Sequence, residues 1–351
     1  MLKYSYDAIL NFYYIILEFI HINHERMNLF MVHDQRQRRL VEVAYMYYID
    51  GLQQSTIAKK MSISRSMVSL LLSEARLKDI VQIQIKNSGL YCFDLERKLE
   101  RLWGLKRAIV IPTHSEKIKS QDIAIQLADA ASEYLNQILE DNMTITLSWG
   151  KILYEMAIRY QHHPKENIIV APLIGCIDYL QNDFQPNMIC HRLAKNLNGQ
   201  ALAINAPLYV SSKELRDMLI KEKNISAALE SAEKSDIALF GIGNINNSIM
   251  KDVNMFTKLD YEGLIESSAI GNMGTWFFDK AGNFVDSEIS NRTIAVDRNK
   301  LKNIKYRIAI SGGSENSAII HSALKSKIMN VLITEEQVAK DILNSYNNVS
   351  L

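Results

Sequence analysis

From Arg36 to Ile49, apolar Leu40, Val41, Ala44, Tyr47 and Tyr48 recur at helical spacing. Asp50-Gly51 ends that helix, because glycine takes the left-handed cap conformation without a Cβ clash. Ser55–Met61 predicts a second helix, Ser62-Ile63-Ser64 a turn, and Arg65–Leu77 a third helix. Ser64 is placed to cap that third helix, its hydroxyl accepting a free amide of the first turn. Val81–Ile85 then alternates Val, Gln, Ile, Gln, Ile, the period of a half-buried strand. Three helices and a strand in this order form a winged-helix-like layout.

Beyond residue 90 the pattern changes. Candidate strands are Ala108–Ile111, Met143–Leu147, Ile168–Ala171, Ala201–Ile204, Ile237–Phe240, Arg307–Ile310 and Val331–Thr334. Amphipathic helices fall between them, among them Gln121–Leu139, Ile152–Tyr160, Ala318–Leu324 and Glu336–Ser345. Such alternation predicts βαβ crossovers and a mostly parallel, Rossmann-like α/β sheet covered on both faces. The expected division is an apolar extension over 1–32, a helix-turn-helix domain over 33–88 and an α/β domain over 90–351. Asp94–Leu105, with Leu95, Leu99, Leu102 and Trp103 on one side, is read both as a link between the domains and as the first helix of the larger core.

The most apolar part of the extension, Ile9–Ile22, carries Asn11 and Glu18 and falls short of the roughly 18 apolar residues of a membrane span. It lacks the basic start and small-residue cleavage site of a signal peptide. Two readings fit: a helix packed on its own protein or a partner, or translation beginning at Met27 or Met31. A length of 351 residues allows about two domains. With 48% hydrophobic and 23% charged residues the chain has material for a core, which excludes disorder as its main state. Three cysteines without CxxC spacing argue against a disulfide framework or a zinc ribbon and fit a reducing cytoplasm.

A net charge of +1 says nothing about nucleic acid, so any basic surface is local. Between His33 and Lys86, nine Lys and Arg stand against five Asp and Glu, about +4 on a small module. If Ala58 is the small residue where two helices cross, Ile57, Met61, Ile63, Val68 and Leu71 fall where packing demands apolar side chains. A buried helical hairpin shares this spacing; the charge favours DNA. The exposed side of the third helix then presents Arg65, Ser66, Ser69 and Ser73, its N-terminal residues entering the major groove. Arg65 suits a bidentate contact to guanine, Ser66 and Ser69 base edges or phosphate, and Arg76 and Lys78 phosphate.

In an open parallel sheet, ligands bind beyond the carboxyl ends of the strands. The loops expected there are Ser148-Trp149-Gly150-Lys151, Pro172–Gly175, Gly241–Asn244, Gly271–Gly274 and Ser311–Asn316. Gly312 and Gly313 allow close backbone approach, the following helix start favours an anion, and Ser311 and Ser314 add hydroxyls. Lys151 supplies a point charge. No G-x-S-x-G elbow, P-loop or H-E-x-x-H is present. His162-His163 before Pro164 reads as a surface helix end, Cys190-His191 as packing, and Asp279 and Asp286 as residues flanking the Gly282 turn.

These elements, taken in order, resemble the SorC family of bacterial sugar-responsive transcriptional regulators over about residues 36–345. They are the helix-turn-helix Gly51–Val81, Leu147–Lys151, Pro172–Gly175, Ala206-Pro207-Leu208-Tyr209, Leu239–Asn244, Ala269–Asp279, Asn291-Arg292, Ser311–Gly313 and Asn330–Thr334. The resemblance implies a DeoR-like helix-turn-helix on double-stranded operator DNA and an effector domain similar to the sugar-phosphate isomerase and deaminase fold. It further implies a cytoplasmic homo-oligomer, usually a tetramer, that is not an enzyme, uses no cofactor or metal and responds to a phosphorylated sugar or polyol. By position, Ser148, Trp149, Gly150 and Lys151 match an effector loop, with Gly175, Gly243 and Ser314 in neighbouring loops. Asn272 matches an acidic residue that bonds sugar hydroxyls, and Gly312, Gly313 and Asn316 match a phosphate-binding segment whose last position is usually Lys. Asn272 and Asn316 depart from that pattern, as does Leu70, where the family often has Arg. Two rival readings are an isomerase- or deaminase-like enzyme fused to a helix-turn-helix, and a regulator whose effector pocket has degenerated.

Overall fold

The computed structural model describes residues 35–82, 92–113, 120–161, 165–177, 182–245 and 257–349. The extension 1–32, the His162-His163-Pro164 step and most of the expected strand Val81–Ile85 lie outside them. The chain forms two compact units, Met1–Lys86 and Asn87–Leu351.

In the first unit, α1 spans 35–48, α2 Gln54–Met61 and α3 Arg65–Leu77. Gly51 follows α1 at φ +69°, and Ser62 takes the left-handed turn between α2 and α3 at φ +53°. Leu40, Val43, Ala44, Ile57, Ala58, Val68, Leu71, Leu72 and Ala75 form the core. The expected apolar side of α1 is thereby corrected. Val43 is buried, whereas Val41 is 48% exposed and Tyr47 also faces solvent. Spacing alone did not separate two valines two residues apart.

The second unit is built on a parallel sheet: β1 Arg107–Ile111, β2 Thr144–Leu147, β3 Ile169–Pro172, β4 Gln200–Ala201, β5 Ile237–Asn244, β8 Tyr306–Ile310 and β9 Val331–Glu335. The spatial order is β1-β9-β8-β5-β2-β3-β4. Along β5, Ile237 and Leu239 enter one core while Ala238, Phe240 and Ile242 enter the other, so both faces are buried as the β-branched runs require. One face is covered by α5 (Ser120–Ile138), α6 (Lys151–Arg159) and α7 (Pro186–Leu197). The other carries α4 (Phe93–Trp103), α9 (Lys223–Glu233), α13 (Ser317–Lys325) and α14 (Glu336–Val349), with α8 (Lys213–Leu219), α10 (Lys258–Glu266), α11 (Glu288–Asn291) and α12 (Arg298–Leu301) completing the unit. Cys190 is buried within α7, as its packing role requires.

Two expectations need correcting. Gly271–Gly274 is not a loop: Gly271–Met273 is β6, paired antiparallel with the end of β5 and with β7, Trp276–Phe278. The strand expected over Ala201–Ile204 is only the two-residue β4. In α4, Leu99 is fully buried in the larger core and Leu95 and Trp103 pack against it, while Leu102 is exposed.

On the side of β1 away from β9, α4 supplies the missing acceptors. Val110 N–H donates to Glu96 Oε1 at 3.0 Å and Ala108 N–H to Glu100 Oε1 at 3.1 Å. Two helix carboxylates thus stand where a neighbouring strand would, and block pairing with another chain. Burial, the largest influence, raises the Glu96 carboxyl above its ordinary range despite the Val110 amide and Arg107. Glu96→Ala is expected to cost about 1–3 kcal/mol by stranding the Val110 amide. Glu96→Gln keeps an acceptor, sheds the buried charge and is expected to cost less. Urea denaturation of both variants checks the order.

The chain runs outward from β2 through β3 and β4, and in the opposite direction from β5 through β8 and β9. The reversal falls between β2 and β5, where the carboxyl ends of open α/β sheets leave a crevice.

Candidate functional sites

In the first unit, the Ser64 hydroxyl accepts the Met67 amide at 3.1 Å and fixes the start of α3. Arg65, Ser66 and Ser69 are exposed, and Arg65 makes no ion pair among the described residues. Ser66 Oγ lies 2.8 Å from Ser64 Oγ. Ser73 is half-buried; its hydroxyl donates to the Ser69 carbonyl at 3.0 Å and accepts from Arg76 at 3.4 Å. Lys78 pairs with Glu74 at 2.9 Å, and Arg36 reaches the same carboxylate at 3.0 Å. Hydrogen bonds from Lys78 and Arg36 hold the Glu74 carboxyl below its usual range. Ser66, Ser73, Arg76 and Lys78 therefore have side-chain partners within the protein, whereas the Arg65 and Ser69 side chains are exposed with no partner among the described residues. Met67 and Leu70 are also exposed on α3, Leu70 by 57%. Charge-led reading passed over Met67; apolar contact to a thymine methyl is the chemistry open to such side chains in a major groove.

In the second unit, the carboxyl ends of β2, β5 and β8 and the β6–β7 hairpin border an open cavity of about 250 Å³. Ser148, Trp149, Gly150, Lys151, Gly243, Asn272, Gly312 and Asn316 line it, joined by Ser311 and Gly274. Gly175, Gly313 and Ser314 do not. Gly175 donates its amide to Ile294 at 2.9 Å, and a Cβ there would lie 2.7 Å from the Ala206 carbonyl, so close packing explains this glycine. The Gly313 amide donates to Glu335 Oε1 at 2.8 Å, and Ser314 is exposed.

The Gly274 carbonyl ties the two walls together, accepting Trp149 Nε1 at 3.3 Å and Asn272 Nδ2 at 3.0 Å. Gly274 itself sits at φ +61° in the hairpin turn. Ser148 is 0% exposed and its Oγ has no hydrogen-bond partner; Asn272 is 5% exposed and its Oδ1 has none. Buried polar atoms are normally paired, so these two orphans leave unused hydrogen-bonding capacity in the cavity lining. Asn316, where a cation was expected by resemblance, instead donates Nδ2 to the Gly312 carbonyl at 2.9 Å. Lys151 is the one ionisable side chain in the lining formed by the described residues.

Glu335 was not foreseen. It ends β9, is 3% exposed and leaves Oε2 unpaired beneath the glycine loop. Burial raises its carboxyl most, the Gly313 amide opposes that, and Glu315 and Asp341 raise it further. The signal was a carboxylate at the carboxyl end of a strand adjacent to β8. Among the described residues no group of His, Cys, Asp and Glu could hold a metal ion, and no helix is long and apolar enough to cross a membrane.

Residues 89–344 match the family described as "Putative sugar-binding domain". The chain is similar to the deoxyribonucleoside regulator of Bacillus subtilis (strain 168), 27% identical over 310 residues that cover 88% of this chain and 98% of the relative. It is also similar to the sorbitol operon regulator of Klebsiella pneumoniae, 25% identical over 314 residues, 87% of this chain and 98% of that one. Among solved structures, the sugar-binding domain of a transcriptional repressor from Vibrio fischeri superposes with TM-score 0.66 at 27% identity, covering 73% of this chain and all of that one. Full-length SorC from Klebsiella pneumoniae shares the fold with TM-score 0.67 at 24% identity, over 87% of this chain and 98% of that one.

Proposed function

The chain belongs to the sugar-binding-domain family of SorC-type transcriptional regulators, and on that premise we propose that it is a DNA-binding regulator of carbohydrate metabolism. Its operator affinity is controlled by a phosphorylated sugar or polyol bound between β2, β5, β8 and the β6–β7 hairpin. The protein acts in the cytoplasm as a homo-oligomer, a tetramer. The first unit reads the operator through Arg65, Ser66 and Ser69, with Arg76 on phosphate. Control requires that the effector bind the DNA-competent and DNA-incompetent states with different affinity, typically by about 1–3 kcal/mol.

One observation supports this reading: the described lining is rich in hydrogen-bonding groups and poor in titratable ones. Among the described residues it offers two unpaired buried polar atoms and a single ionisable side chain, Lys151. General acid–base chemistry on a sugar needs a positioned pair of titratable groups, and the described residues of the lining do not supply one. This favours a regulator over an isomerase-type enzyme.

The test is a thermal-shift panel of sugar phosphates and polyols on the full chain, with operator gel shifts on every hit. An effector at about 100 times its Kd is expected to stabilise the protein by about 2.7 kcal/mol and to change operator affinity. Sugar phosphates recovered unchanged support the non-enzymatic role, and turnover sinks it. A protein that ignores both the panel and upstream promoter fragments at low ionic strength is not this regulator.

A further inference from the structure

We propose that Leu70, at the centre of the outward face of α3, reads the C5-methyl group of a thymine in the operator. The inference deepens the regulator reading of the first unit and rests on it.

Residues three and four apart share one line along a helix. In α3, Val68, Leu71, Leu72 and Ala75 face the core. The line opposite them runs through Ser66, Leu70, Ser73 and Leu77. Arg65, Ser69 and Arg76 flank that line on one side, Met67 and Glu74 on the other. The polar neighbours of Leu70 on the line are drawn onto the protein itself. Ser66 Oγ lies 2.8 Å from Ser64 Oγ, and the Ser73 hydroxyl donates to the Ser69 carbonyl at 3.0 Å. Neither covers Leu70, which is 57% exposed.

The surroundings of this leucine decide what covers it. Arg65 and Arg76 lie along its flank, and neither pairs with a carboxylate among the described residues. Lys and Arg also outnumber Asp and Glu between His33 and Lys86. Such a rim suits a phosphate backbone rather than an apolar protein surface, so the partner of this face is duplex DNA. In a major groove, leucine offers no hydrogen bond. Against a guanine, cytosine or adenine edge it strips water from polar atoms and returns nothing. The thymine C5-methyl is the base-edge feature that it matches. Leu70 therefore selects thymine both by attraction and by excluding the other bases. It lies about 7.5 Å along the helix axis from Arg65, which places its thymine within about three base pairs of the guanine that Arg65 reads. Leu77 shares the line but closes α3 about 10 Å further on, between Arg76 and Lys78 on the phosphate side.

The probe is the duplex that the full chain protects in footprinting of its own upstream promoter fragment, with each thymine in turn replaced by deoxyuridine. That replacement removes one methyl group and leaves base pairing intact. Fluorescence anisotropy is expected to show at least one thymine where it weakens the native chain about fourfold, the worth of one buried methyl group. Leu70→Ala is expected to bind the unmodified duplex about tenfold more weakly and to treat the thymine and deoxyuridine duplexes alike, the signature of a direct pair. Leu70→Met keeps an apolar tip and is expected to keep the discrimination. Both variants are expected to retain the native Tm, because the position is exposed, and the native salt dependence, because no phosphate contact is lost. Deoxyuridine tolerated at every position by the native chain, or a penalty that persists in Leu70→Ala, overturns the assignment. So does a Leu70→Ala chain with native operator affinity but an altered oligomeric state, which would put a protein partner on this face. In each of those cases operator binding by the native chain leaves the regulator reading standing. A native chain that protects no upstream fragment at low ionic strength removes both.

Discussion

Arg65→Ala is expected to weaken operator binding by the full chain about tenfold to a hundredfold and to relax the preference at one base pair. A bidentate arginine–guanine contact is worth about 1–3 kcal/mol of discrimination. The geometry of α3 makes Arg65 the residue to test. It opens the helix directly after the Ser64 cap, it is exposed, and no ion pair restrains it among the described residues. Lys78 makes the control. It is held by Glu74, so Lys78→Ala removes a cation already partly neutralised and is expected to lower affinity by less, uniformly across sequences. Fluorescence anisotropy with the operator and with single-base variants separates the two effects. Arg65→Ala binding the operator as the native chain does would reject Arg65 as a reader.

The parts of the fold that announced themselves in the sequence are those fixed by local burial. The central strands of the parallel sheet have both faces covered, so their sequences are short apolar runs, as in Ile237–Phe240 or Val331–Thr334, whereas the edge strand β4 is only Gln200–Ala201. The β6–β7 hairpin had no such mark. Gly271-Asn272-Met273 and Trp276-Phe277-Phe278 are three residues each, punctuated by glycine, and their pairing depends on β5, whose Asn244 lies opposite Gly271. Long-range pairing of that kind leaves little local pattern. The site divides in the same way. Ser148–Lys151 and Gly312 could be placed because glycine and small polar residues at a strand end have few uses besides turns and ligands. Gly175 has another use, the close approach of the Ala206 and Pro207 carbonyls, which composition does not reveal. Glu335 was hidden because one carboxylate near the end of an apolar run reads as a helix start until β8 and its loop are placed beside it.

Arg292→Ala is expected to destabilise the second unit by about 3–5 kcal/mol, the cost of leaving one charge of a buried pair uncompensated. The Arg292 side chain is 19% exposed and that of its partner Asp260 8%. Arg292 also donates to the Val210 carbonyl at 3.0 Å. Asp260 is engaged twice more, by the Thr257 amide at 3.0 Å and the Thr257 hydroxyl at 2.7 Å, in the capping box that starts α10. Burial pulls the Asp260 carboxyl upward, but the hydrogen bonds from Arg292 and Thr257 outweigh it and the net shift is downward. A folded-state value below the unfolded one makes this contribution complete above about pH 4 and drains it as acid protonates the carboxylate through its depressed folded value. The gap between native and Arg292→Ala proteins in urea is therefore expected to be widest near neutral pH and to narrow at pH 3. α10 leads through Ala269 into the hairpin that carries Asn272 and Gly274, so the variant is also expected to bind effector more weakly. A native-like urea midpoint at pH 7 would show that the pair is dispensable, and a gap that widens in acid would show that the carboxylate is not held in its charged form by Arg292.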